Sequence, residues 1–171
     1  MKSTDLITNI LGDDRSGLVK GLDSNSGIDD VKKVEAGSEC YESDTPLHNI
    51  QCYHLLLNDK SFSYKYVYYF DDSDQKIAEI NLLLEYDNEL DDNISFEAFE
   101  ELISGLKSYF TTKYGVSKTE TEKSGDHVDQ FTYFQVSSVT PAIEVVFTEY
   151  TGDEEESNIE KNIKVIWQKK L

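Results

Sequence analysis

The stretch from Phe62 to Phe70, FSYKYVYYF, places an aromatic residue at every even position. Successive side chains of a strand point to opposite faces, so a period of two is a strand signal. A strand over 62–70 with one wholly aromatic face is therefore predicted. Such a row is either the floor of a core or an exposed surface built to grip a partner.

The segment that follows bears on the choice. In 77–86 the even residues are Ala78, Ile80, Leu82, Leu84 and Tyr86, and the odd ones are Ile77, Glu79, Asn81, Leu83 and Glu85. Opposed residues of an antiparallel pair have a constant index sum and share a face. An even sum, with Phe70 opposite Lys76 and a turn of odd length, joins the aromatic row to Ile80, Leu82 and Leu84. An odd sum, with Phe70 opposite Ile77 and a turn of even length, joins it to Glu79 and Asn81. Burial favours the even sum. An aromatic side chain buries on the order of 150–250 Å². At ~25 cal/mol per Å², five exposed rings would forgo several kcal/mol each, against a total stability of ~5–15 kcal/mol. The row is expected in the core, with its tyrosine hydroxyls at the rim or bonded. Were it exposed, Tyr64, Tyr66 and Tyr68 would form a binding surface, since tyrosine is enriched at interfaces.

The remaining elements follow from periodicity and punctuation. A short helix is predicted over 3–11, with Ser3 as cap, Leu6, Ile7, Ile10 and Leu11 as its stripe and Gly12 as its stop. Residues 13–27 read as loop, and a second helix follows at about 28–35. Strands are expected at about 48–57, 62–70 and 77–86, separated by Asn58-Asp59-Lys60 and Asp71-Asp72-Ser73-Asp74. The strongest helix signal covers 95–114. Ser95 caps it, Ile94 and Phe99 staple its start, and Phe96, Phe99, Leu102, Ile103, Leu106, Phe110 and Tyr114 recur at a period of 3.6. Gly115 ends it. Three more strands are predicted at about 130–138, 142–149 and 160–169, the middle one begun by Pro141.

One plan thus occurs twice: a helix, then three strands. The fold class expected is α+β, with two helix-plus-three-strand units forming a mainly antiparallel sheet and the helices packed on one face. The chain, 1–171, reads as a single domain with possible halves 1–90 and 91–171. The helix Gly27-Ile-Asp-Asp-Val-Lys-Lys-Val-Glu35 followed by a meander resembles the modules of the β-lactamase-inhibitor-protein-like fold. The topology also resembles, in part, the acidic type III secretion chaperones. Both resemblances imply binding rather than chemistry.

With 34 acidic residues against 16 Lys and Arg, the formal charge is −18. Nucleic acid is disfavoured as a ligand, because its binding rests on cations that neutralise phosphate. An anionic membrane surface is disfavoured for the same reason. A basic protein would be attracted, most strongly at low salt, although acidity also serves solubility alone. No stretch approaches the ~20 apolar residues of a membrane span, and the N-terminal MKSTDLITNILGDDRSG has no secretory core. The expectation is a cytoplasmic protein in which Cys40 and Cys52 are free thiols. A 40–52 disulfide is the alternative in an exporting context.

No cofactor or metal is indicated. His48, Cys52 and His54 share strand parity, but spacing marks no further ligand. An EF-hand loop begun at Asp72 fails at Lys76, Ile77 and Leu83. His127 suggests nothing, and Lys169-Lys170 is a minor basic spot. No P-loop, dinucleotide fingerprint or nucleophile elbow is present. The function expected is that of a non-catalytic, acidic protein-binding module of the inhibitor, immunity or chaperone kind. Its partner would be basic, and Asp153, Glu154, Glu155 and Glu156 would form an acidic rim. The alternative is a small-molecule-binding or enzymatic domain with its site between sheet and helix. A third reading is self-association through an edge strand.

Overall fold

In a computed structural model of the protein, the described residues are 3–56, 62–86, 96–124, 127–135, 143–151 and 163–169. Three helices, α1 (Ser3–Leu11), α2 (Ile28–Val34) and α3 (Phe96–Tyr114), accompany eight strands. These are β1 (Glu39–Ser43), β2 (Asn49–Leu55), β3 (Phe62–Phe70), β4 (Ile77–Tyr86), β5 (Val116–Ser124), β6 (His127–Gln135), β7 (Ile143–Thr151) and β8 (Ile163–Lys169). The strands make one sheet in the order β1-β2-β3-β4-β8-β7-β6-β5, with every pair antiparallel. The class is α+β, as the repeated helix-and-meander pattern suggested.

Each meander has four strands rather than the expected three. The strands added are β1, sequence ECYES, and β5, sequence VSKTETEKS. Both are polar and both lie at an edge of the sheet. They are held by ladder hydrogen bonds to one neighbour, so they carry little of the apolar alternation from which strands are read. The two units, α2 with β1–β4 and α3 with β5–β8, meet where Leu82 pairs with Val165. Strand order runs outward from that seam in the same way in both.

All three helices reach the even face of β3. Phe99 of α3 lies 5.1 Å, centroid to centroid, from Phe62. Tyr64 and Tyr66 bond the end of α1, and Tyr68 bonds Glu35 at the end of α2. Phe62, Tyr64, Tyr66, Tyr68 and Phe70 are all buried, with Ile80, Leu82, Leu84 and Tyr86 on the adjacent strand. Phe99, Leu102, Leu106 and Phe110 close the layer from α3. Gly12 and Gly115 stop α1 and α3 at φ +80° and +72°, where L side chains are strained. Ile94, Ser95, Gly125, Asp126 and Pro141 lie outside the described residues.

The aromatic row is core by a route that turn length does not reveal. The connection Asp71–Lys76 is even in length, and Phe70 does pair with Ile77. From Tyr69↔Glu79 onward, however, the index sum is even, because a bulge at Ala78 inserts one residue into β4. One extra residue exchanges the two faces of everything beyond it. The bulge thus sets Tyr64 opposite Leu84, Tyr66 opposite Leu82 and Tyr68 opposite Ile80.

Candidate functional site

Tyr64, Tyr66 and Tyr68 are removed as surface binding residues. They are buried, the last two with no exposure at all. Their hydroxyls instead meet the polar demands of the core. The last four carbonyls of a helix have no partner within it. The Tyr64 hydroxyl donates to the Asn9 carbonyl at 3.1 Å, and the Tyr66 hydroxyl donates to the Ile10 carbonyl at 2.8 Å. The Lys20 N–H donates to the Leu11 carbonyl at 2.8 Å. The end of α1 is therefore capped by side chains from a strand more than fifty residues away.

The third hydroxyl, of Tyr68, donates to Glu35 Oε1. Glu35 is the C-cap of α2 and its side chain is 1% exposed. Lys20 Nζ lies 2.6 Å from Oε1, and Ser38 Oγ donates to Oε2 at 3.1 Å. His54 Nε2 comes within 3.1 Å of Oε2. Burial by itself would raise the pKa of this carboxyl. The His54 imidazole, the Lys20 charge and hydrogen bonds, and the Tyr68 hydroxyl more than offset burial and lower it from 4.5 to about 2. Burial also lowers the pKa of Lys20, against the pull of Glu35. Lys20 reaches this place from a tight turn at φ +50°, its Nζ 4.7 Å above the Tyr66 ring. The carboxylate thus ties the 13–27 loop, α2, β2 and β3 together.

Of the triplet His48, Cys52 and His54, Cys52 is bonded to Cys40. The expected free thiols are corrected: the two residues face each other across β1 and β2, with Cα atoms 4.2 Å apart, which brings the sulfurs within bonding reach. His48 is placed elsewhere, 3.1 Å from Glu42 and 3.0 Å from Asp44. The Asp71-Asp72-Ser73-Asp74 carboxylates act as turn formers. Asp71 Oδ1 accepts from the Ser73 N–H at 2.8 Å, and Asp74 Oδ1 accepts from the Lys76 N–H at 2.9 Å. Asp153, Glu154, Glu155 and Glu156 lie outside the described residues.

Exposed apolar surface gathers on the opposite side of β1 and β2 from the helices. Tyr41 is 56% exposed, Tyr53 44% and Leu55 51%. The two rings meet edge to face at 5.8 Å, and Lys65 Nζ stands 5.4 Å over Tyr53. The Tyr41 hydroxyl bonds Glu39, which raises its pKa. On the helix side of β1, a pocket of about 170 Å³ is lined by Val31, Glu35, Ser38, Cys40, Glu42 and Ile50, among others. Lys32 and Glu42 pair at 3.1 Å across it. This region carries almost no periodic signal in the sequence. Its only signal was the pairing of acid with aromatic residues in ECYES.

No helix among the described residues is long and apolar enough to cross a membrane. No protein-family model matches the chain, and no similar curated protein or solved structure is found.

Proposed function

We propose that the protein is a non-catalytic binding module that meets a basic protein through the sheet face its helices leave open. The observation that carries this reading is the exposed cluster of Tyr41, Tyr53 and Leu55 on a chain of charge −18. Tyrosine supplies contact area at low entropic cost and is enriched at interface centres. The surrounding acids draw a cationic partner and orient it. Lys65 over Tyr53 already makes the kind of cation–ring contact that a partner lysine or arginine would make. Glu39, bonded to the Tyr41 hydroxyl, sets a carboxylate beside this surface. The inhibitor-like and chaperone-like topologies agree with such a role. A site between sheet and helix is less well supported, because Phe62, Tyr86, Phe99 and Phe110 fill that layer. The 40–52 bond favours an oxidising compartment over the cytoplasm.

The test is retrieval of a partner from native extract at low salt by wild type and by a Tyr53→Ser/Leu55→Ser variant. Capture that is lost at high salt and lost in the variant is expected. Absence of capture at low salt, or capture that ignores the variant, contradicts the reading.

A further inference from the structure

The two edges of the sheet are not alike. Strand β5 at one end carries exposed Lys118 and Lys123 and a register break between Val116 and Lys118. Charged lysines and bulges are the usual guards against unwanted strand pairing. Strand β1 at the other end has no lysine, no proline and no bulge, and pairs in continuous register with β2 over its whole length. Among the described residues no strand pairs with its outer side. Such an edge offers backbone donors and acceptors to an added strand.

Both faces of that position are prepared. On the helix side, Cys40 and Glu42 of β1 border the pocket of about 170 Å³ together with Val31, Ile50, Lys32, Glu35 and Ser38. Val31, Ile50 and Cys40 offer contacts there to an apolar side chain projecting inward from a neighbouring strand, while Lys32 and Glu42 are paired with each other. On the other side, Tyr41 and Glu39 are exposed and bonded to each other. A cationic side chain projecting outward meets a carboxylate and an aromatic ring there. A second copy of this chain carries the same −18 charge, so it is a poor occupant.

We infer that β1 is a docking edge for an extended peptide segment of alternating basic and apolar residues, taken up as a ninth strand. The inference rests on the proposed role in binding a basic protein and specifies its mode. The 40–52 bond keeps β1 in place before the segment arrives, so that less ordering remains to be done on binding.

The test uses the full chain and two acetylated, amidated peptides of alternating Arg and Val, one of them N-methylated at every backbone nitrogen. Methylation keeps the charge and the side chains and removes every backbone donor. Affinity is measured by calorimetry at low salt, and amide exchange is followed over 39–43. The parent peptide is expected to bind and to slow exchange in β1, and the methylated one to bind at least about tenfold more weakly. Tyr41→Lys, which adds the guard found on β5, is expected to weaken the parent peptide by a similar factor while leaving the circular dichroism unchanged. Equal binding of the two peptides, or binding without slowed exchange in β1, overturns the strand-addition mode and leaves the acidic binding role standing. Failure of both peptides to bind at low salt overturns the two together.

Discussion

Glu35 shows how one residue can hold several segments at once. Its carboxyl has a lower pKa folded than unfolded, so its contribution to stability is present above its ordinary value of 4.5 and is lost as the pH falls toward about 2. A shift of that size corresponds to about 3 kcal/mol. Urea unfolding of the wild type between pH 5 and about 2 should show this loss, on top of that from other carboxylates. Glu35→Gln should be flatter over the same range and less stable at neutral pH by about 3–5 kcal/mol, because it leaves Lys20 nearly buried without its counter-charge. A variant that matches wild type at neutral pH would show that the cluster holds nothing together. Tyr66→Phe is a narrower probe. It removes one hydroxyl from a site with no exposure and leaves the Ile10 carbonyl without that donor, at a cost of about 1–2 kcal/mol in the same assay. None of these partnerships is visible in the sequence. Lys20 and Glu35 are fifteen residues apart and Tyr66 and Ile10 fifty-six, and only the tertiary fold brings them together.

At the level of elements, legibility followed apolar periodicity. The helices α1, α2 and α3 and the strands β2, β3 and β4 bury one clear face, and their bounds fall within a few residues of those expected. The edge strands β1 and β5 bury little and were missed. The bulge at Ala78 was missed as well, since no Gly or Pro marks it and its effect is on register rather than on composition. Tyr64, Tyr66 and Tyr68 nevertheless lie on the face that burial favours, because the energy of five buried rings exceeds the cost of one irregular residue. Strand β1 depends on its ladder and on the 40–52 bond. Closing a loop of this size with a disulfide contributes about 3 kcal/mol in the chain-entropy view. The double variant Cys40→Ser/Cys52→Ala should lose about that much stability, and its amides at 39–43 should exchange faster while those of β3 stay protected. Unchanged exchange in β1 would mean that the ladder alone suffices.

Across the described residues, the three helices lie against the even face of β3, while Tyr41, Tyr53 and Leu55 on the other side of β1 and β2 are exposed. Charge and topology both pointed to a binding protein, but the tyrosines that drew attention are its interior, and the exposed pair, Tyr41 and Tyr53, stood among unremarkable neighbours. The division between inner and outer tyrosines is open to one direct measurement, the nitration of the native protein followed by mass mapping of the modified residues. Tyr41 and Tyr53 should react first, and Tyr64, Tyr66 and Tyr68 should stay unmodified until the protein unfolds. Modification of Tyr66 or Tyr68 in the native state, ahead of Tyr41 and Tyr53, would contradict the buried row and the binding surface proposed on the opposite face.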